Sequence, residues 1–523
     1  MADSTLPILI QQMLDPAFYP HPVTAPVRLM QTHVSYVLLT GDYVYKLKKP
    51  VDFGFLDYST LEKRQHFCHE ELRLNQRGAG SLYLEVVSIT QAESAADQFE
   101  IDGSGEPVEY AVKMRQFPQS ALLSAQFEQG KLNEDKVRQL AIAIAQFHSE
   151  TATDEHVRSY GDPEPIRQAF DENYEQTTGF IGGDSITKPQ TQRQFDETKA
   201  YTDRFFATRQ PLFQQRLDQD RIRTCHGDLH LGNICEWEDQ ILLFDCIEFN
   251  EPFRFVDVMF DIAYIVMDLE VAGRNDLSNI FLNQYVEETG DWEGLEVLPL
   301  YVSRQSYVRA KVTSFMLGDP SIPEADRQAA SDRAAKYYRL AWSYVQEKQG
   351  AVVAMAGLSG SGKSTTARAL AQQTGAIYLR SDAVRKHLAG VPLREKAGDE
   401  IYTTEMTDQT YTRLIALGIR LASQGYRVIL DAKFDRQAKR QEAVAAAQSK
   451  NLLLTFLYCT AADDILKARL DERSGDVADA TSNMLARQSM EPFDAKTAVK
   501  TIDTTRPAAA VQQLLSGVFS PAE

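Results

Sequence analysis

The stretch Gly357-Leu358-Ser359-Gly360-Ser361-Gly362-Lys363-Ser364 decides the fold of the last third of the chain. It satisfies G-x-x-x-x-G-K-[ST] at every position. It follows the apolar run Ala351–Ala356 and opens a helical stretch, 364–374. Strand, glycine-rich turn and helix N-terminus together aim backbone N–H groups at phosphate. Gly357, Ser359, Gly360, Ser361, Gly362, Lys363, Ser364 and Thr365 are therefore the expected nucleotide contacts. Lys363 is expected to reach the terminal phosphates and Ser364 to give Mg²⁺ an oxygen. A chance glycine-rich turn is the alternative, and the flanking strand and helix argue against it.

Downstream, apolar strand patterns (376–379, 427–432, 452–459) alternate with helical ones (410–425, 436–450, 462–475). Such alternation predicts a parallel sheet covered by helices, with ligands at the carboxyl ends of its strands. Four features fall at such ends. Ser381-Asp382-x-x-Arg385 follows one strand, with Asp382 a candidate base for an attacking hydroxyl and Arg385 a substrate contact. Asp431 ends another strand, as a Mg²⁺-orienting acid would. Arg436 and Arg440, four apart, are candidate substrate contacts. Arg469 and Arg473, also four apart, suit a closing lid over the transferring group. For each arginine pair the alternative is a solvated face with local salt bridges.

These features resemble the small P-loop kinases: gluconate kinase, chloramphenicol phosphotransferase, zeta toxin and phage polynucleotide kinase. The resemblance covers 350 to about 510 and extends to Gln488 and its neighbours, which look like the helix after the lid. It implies ATP and Mg²⁺ as cofactors.

A second constellation lies upstream. His226-Gly227-Asp228-Leu229-His230-Leu231-Gly232-Asn233 fits H-x-D-x-x-x-x-N, and Asp245 ends the apolar run LLFD twelve residues after Asn233. One Asp to take a hydroxyl proton, with an Asn and a second Asp for Mg²⁺, is the requirement of phosphoryl transfer. A strand lysine should pair with a helix glutamate. Lys46 and Glu71 are the candidates, with Lys48 and Glu70 as alternatives. Zinc binding by Cys225, His226, His230, Cys235 and Cys246 is the rival, but no usual ligand spacing appears. His148 is expected to be structural.

This set resembles the aminoglycoside phosphotransferases and their choline- and homoserine-kinase relatives over roughly 30–320. The resemblance makes Asp228 the base and Asn233 and Asp245 Mg²⁺ ligands, and it puts Met114 near the adenine. A glycine-rich loop ahead of Lys46 is missing. Both resemblances together look like bacterial two-domain proteins that fuse an aminoglycoside phosphotransferase-like domain to an AAA-type kinase.

The expected fold class is α/β and α+β multidomain. Residues 1–349 are a bilobal kinase-like domain (small lobe about 25–117, large lobe 118–349). Residues 350–523 are a P-loop α/β domain with a parallel sheet and a helical lid. The small lobe begins with a hairpin around Gly41-Asp42 and a helix over 59–77 stopped by Gly78. Strands over 81–90 and 108–117 follow, then helices from about 131.

The net charge of −18 is uneven. Residues 350–523 hold 22 Lys and Arg against 19 Asp and Glu, so the acidity lies in the first 349. An acidic body disfavours nucleic acid and weakly favours amino-bearing ligands. No long apolar run, no signal-like start and five scattered cysteines predict a cytoplasmic protein with reduced thiols and no membrane span. The expectation is an ATP-dependent kinase with two sites and small-molecule hydroxyl acceptors. Two alternatives remain: a P-loop domain acting on the 5′-hydroxyl of nucleic acid, or one domain regulating the other without catalysis. Neither acceptor, nor the oligomeric state, is legible.

Overall fold

The structure, a computed structural model, describes residues 6–91, 97–183, 185–471, 488–495, 497–505 and 517–519. The chain forms two compact units. The first holds 1–133, 146–171 and 206–268; the second holds 134–145, 172–205 and 269–523. The composition change at Gly350 marks where the parallel sheet begins, while the helices of 269–349 pack in the same unit as that sheet.

In the first unit a six-stranded sheet has the order β1-β2-β3-β6-β4-β5. Its strands are β1 (Arg28–Gln31), β2 (Ser35–Leu39), β3 (Tyr43–Lys48), β4 (Tyr83–Gln91), β5 (Phe99–Ile101) and β6 (Pro107–Arg115). Every pairing is antiparallel. Helix Leu61–Ala79 packs on one face, burying Cys68, Leu74 and Ala79. Cys68 and Ala79 join Leu39, Val44, Val112 and Met114 in one core. The helix starts where Thr60 accepts a hydrogen bond from Lys63 N, as expected of an N-cap.

It does not stop at Gly78, however. A Cβ there would lie 2.8 Å from the Leu243 carbonyl, so this glycine serves close packing and the helix continues to Ala79. Two short strand pairs also belong to this unit. β7 (Ile222–Thr224) pairs with β10 (Phe255–Asp257), and β8 (Ile234–Trp237) with β9 (Gln240–Leu243).

In the second unit a parallel sheet has the order β12-β13-β11-β14-β15. Its strands are β11 (Ala351–Ala356), β12 (Ile377–Arg380), β13 (Arg427–Asp431), β14 (Leu453–Thr460) and β15 (Val499–Asp503). All six residues of the central β11 are buried, as a strand covered on both faces demands. Met355 is level with Asp431 and Ala356 with Tyr458, so both flanking strands end beside the loop that follows β11. Among the described residues no helix is long and apolar enough to cross a membrane. All five cysteines are free and buried.

Candidate functional site

The loop after β11 is a cradle of backbone. Gly357, Gly360 and Gly362 have φ of +138°, +78° and +77°, conformations open to glycine alone at low cost. A Cβ on Gly357 would meet the Cys459 carbonyl at 2.5 Å, and one on Gly360 the Leu466 carbonyl at 2.6 Å. The loop ends in helix Lys363–Thr374, so the helix N-terminus opens on it. Among the described residues, buried Ser361 Oγ has no hydrogen-bond partner. These features fit phosphate.

Lys363 is buried, and its Nζ donates to the Leu358 carbonyl at 2.8 Å. Burial holds its pKa below the usual lysine range, against the pull of Asp431 and, more weakly, Asp382. Ser364 is half-buried and Thr365 exposed, on the first turn of the helix. Asp431 accepts a hydrogen bond from Tyr378 Oη at 2.7 Å.

The arginines divide. Arg385 is buried, donates to Ile401 O at 3.0 Å and Thr407 Oγ1 at 3.2 Å, and lies over the Tyr402 ring. Arg440 is only 1% exposed and donates to the carbonyls of Phe434, Asp435, Glu491 and Pro492. These bonds clamp the start of helix Gln437–Gln448 to the backbone of Glu491 and Pro492. Arg436 is exposed at the start of helix Gln437–Gln448. Arg469 donates to Thr504 O at 2.8 Å and to Gly360 O at 3.4 Å, which ties it to the cradle. Arg473 lies outside the described residues. Gln488 holds Ser359 from both sides, accepting from its N–H and donating to its Oγ, each at 3.0 Å.

The second constellation assembles from distant segments of the first unit. Lys46 on β3 donates to Glu71 at 2.8 Å and to Asp245 at 2.5 Å. Lys48, on the same face of the strand, donates to Glu71 at 2.7 Å and also pairs with Glu248. Both lysines therefore meet one glutamate, whereas Glu70 turns outward to Arg73. Burial opposes the charge of Lys46, but Asp245 and Glu71 hold its pKa well above the usual range. Glu71 resists burial in the same way and is held below the ordinary glutamate range by Lys46 and Lys48.

Asp245 follows β9 with φ +65°, left-handed backbone for a residue with a side chain, as constrained functional positions often show. Asn233 Nδ2 donates to Asp228 O at 3.1 Å and approaches Asp228 Oδ2 at 3.4 Å. Asn233 and Asp245 offer hard oxygen donors, which suit Mg²⁺. Met114 is buried in the core beside Val44, Tyr83, Cys235 and Leu242.

The support of the Asp228 loop was not read from the sequence. Asp261 accepts from His226 N at 3.0 Å and Gly227 N at 2.9 Å, and also pairs with His148 at 3.0 Å. Asp268, seven residues on, accepts from Leu231 N at 3.0 Å. Two acids on one face of the apolar helix Val258–Val271 were the available signal. Tyr378, Thr504 and Glu248 were likewise missed.

Residues 352–492 match the family model of the AAA domain. The matched region contains the glycine cradle from Gly357 to Ser364. An uncharacterized protein of Mycobacterium tuberculosis is 29% identical over 500 residues, which cover 93% of this chain and 94% of that protein. Among solved structures, a gluconokinase from Sinorhizobium meliloti 1021 is 20% identical with a TM-score of 0.25, covering 33% of this chain and 93% of that one. A choline/ethanolamine kinase family protein from Mesorhizobium loti is 10% identical with a TM-score of 0.37, covering 65% of this chain and 99% of that one.

Proposed function

We propose that this protein is a cytoplasmic, ATP- and Mg²⁺-dependent kinase with two nucleotide sites, each acting on a hydroxyl of a small molecule. The observation that carries the reading is the pair of phosphate-ready constellations. One is the left-handed glycine cradle with buried Lys363. The other joins Lys46, Glu71 and Asp245 beside Asp228 and Asn233.

In the P-loop site Asp382 takes the proton of the acceptor hydroxyl while Lys363 steadies the terminal phosphates; Ser364 and Asp431 would hold Mg²⁺. In the upstream site Asp228 takes the proton, Lys46 meets the phosphates, and Asn233 and Asp245 would hold Mg²⁺. When bound, Mg²⁺ neutralises phosphate charge. At either site the acceptor oxygen bonds to the γ-phosphorus, the bond from that phosphorus to the bridging oxygen breaks, and ADP leaves.

The test is a metabolite-library incubation with ATP, read by the mass of an added phosphoryl group. Asp228→Ala and Lys363→Ala should each remove a different set of products, with losses on the order of 10²-fold or more. A silent Asp228→Ala would make the upstream site a regulatory ATP-binding module. An unchanged Lys363→Ala profile would sink the P-loop assignment. Turnover stimulated by oligonucleotides and by no metabolite would move the acceptor to nucleic acid.

A further inference from the structure

Helix Asn275–Thr289 precedes the P-loop region in the chain and docks on the free edge of β12. Asn283 Oδ1 accepts from Tyr378 N at 2.6 Å, and its Nδ2 donates to Ala376 O at 3.1 Å. Asn279 Nδ2 donates to the same carbonyl at 3.0 Å. Two amide side chains thus stand where a neighbouring strand would otherwise pair.

The same helix and the turn after it also hold the next element, helix Ser381–Ala389, which carries Asp382. His387 Nε2 donates to Glu287 O at 2.8 Å. The Trp292 ring meets the His387 ring edge-on at 5.4 Å. Gly290, at φ +66°, passes so close that a Cβ would lie 2.8 Å from His387 Nδ1. The segment from Ala376 to His387 is therefore gripped at both ends by residues 279–292.

Tyr378 carries that grip into the site. Its amide is held by Asn283, and its hydroxyl reaches Asp431 Oδ2 at 2.7 Å. Both side chains belong to buried residues, each 5% exposed. With one oxygen engaged by Tyr378, the carboxylate is fixed in rotation and its other oxygen keeps one direction.

We infer that Tyr378 is a positioning residue of the P-loop site, orienting Asp431 for its cation, and that Asn283 sets Tyr378 from outside the sheet. The inference rests on the proposed Mg²⁺ role of Asp431. Groups that orient a metal ligand typically change affinity about 10- to 100-fold when removed.

Tyr378→Phe deletes the hydroxyl and keeps the ring. Calorimetry on the full chain, in an Asp245→Asn background that disables the upstream site, measures ATP binding with chelator and across a Mg²⁺ titration. Tyr378→Phe should weaken Mg²⁺ binding at saturating ATP roughly 10-fold and leave Mg²⁺-free ATP binding within about 2-fold. Asn283→Ala should act in the same direction with a smaller effect. The double variant should be no weaker than Tyr378→Phe, because both substitutions act through one hydroxyl.

Unchanged Mg²⁺ affinity in Tyr378→Phe overturns the inference. So does an equal loss of Mg²⁺-free ATP binding, which is general damage. Additive losses in the double variant overturn the part assigned to Asn283. If the Asp245→Asn protein with Tyr378 intact binds no ATP, the P-loop reading itself fails, and this inference fails with it.

Discussion

Lys46 and Asp245 meet across 199 positions of chain, whereas the cradle from Gly357 to Ser364 is eight consecutive residues. The upstream site is held by charged side chains that share partners. Glu71 serves two lysines, and Lys46 serves two carboxylates. The P-loop site is held by backbone conformation, with side chains such as Gln488, Arg469 and Thr504 tying the loop from outside. One site is therefore sensitive to loss of a charge, and the other to gain of a Cβ.

The sharpest way to break this contrast is Glu71→Ala. It leaves buried Lys48 and half-buried Lys46 short of a partner, and removing one member of a buried ion network typically costs about 3–5 kcal/mol. Urea unfolding of the full chain should show an early transition, and a cost below about 1 kcal/mol would mean the network is not a structural unit. Gly360→Ala is the counterpart. Its Cβ would press on the Leu466 carbonyl at positive φ, a strain of about 1–3 kcal/mol, together with loss of ATP binding. A fully stable Gly360→Ala protein that binds ATP normally would remove the backbone half of the comparison.

pH gives a third handle. The pKa values of Glu71 and Asp245 are held down in the folded state. Their stabilisation is present above the ordinary carboxylate range and is lost as pH falls through the depressed values. Lys46→Met removes a partner of both, so acid unfolding followed by circular dichroism should move to higher pH. No movement would show that the ion pairs carry little of the acid stability.

The smallest effect has the opposite sign. Burial depresses the Lys363 pKa, so its charge is a burden on the protein without nucleotide. Lys363→Met should raise that protein's stability by roughly 1 kcal/mol, a Tm gain of a few degrees. A fall in Tm would mean that the contacts of Lys363 outweigh its desolvation.

The same contrast governs what was legible. The P-loop motif is local, and its strand, turn and helix follow from eight residues and their flanks. Asp228, Asn233 and Asp245 share a short span and could be read as a set. The choice between Lys46 and Lys48 could not be made from strand periodicity, since both face the same way and the structure uses both on Glu71. The apolar run before Asp245 is legible as β9, but its partner β8 is not, because Glu238 and Asp239 take positive φ without a glycine to announce the turn. The backbone carbonyls that Arg440 bonds could not be read from its spacing on a helix, because Glu491 and Pro492 lie about fifty residues away. Tyr378 carried no signal, because its partners Asn283 and Asp431 lie 95 and 53 residues away.

The amides of Asn279 and Asn283 have a consequence for anyone who divides this chain at Gly350. β12 is an outer strand of the parallel sheet, and they cover the N–H of Tyr378 and the carbonyl of Ala376. An excised P-loop region would present that edge bare, as a template for strand addition by another copy. The soluble form of the excised region would then need residues from about 275 onward, and the shorter piece would tend to self-associate through β12.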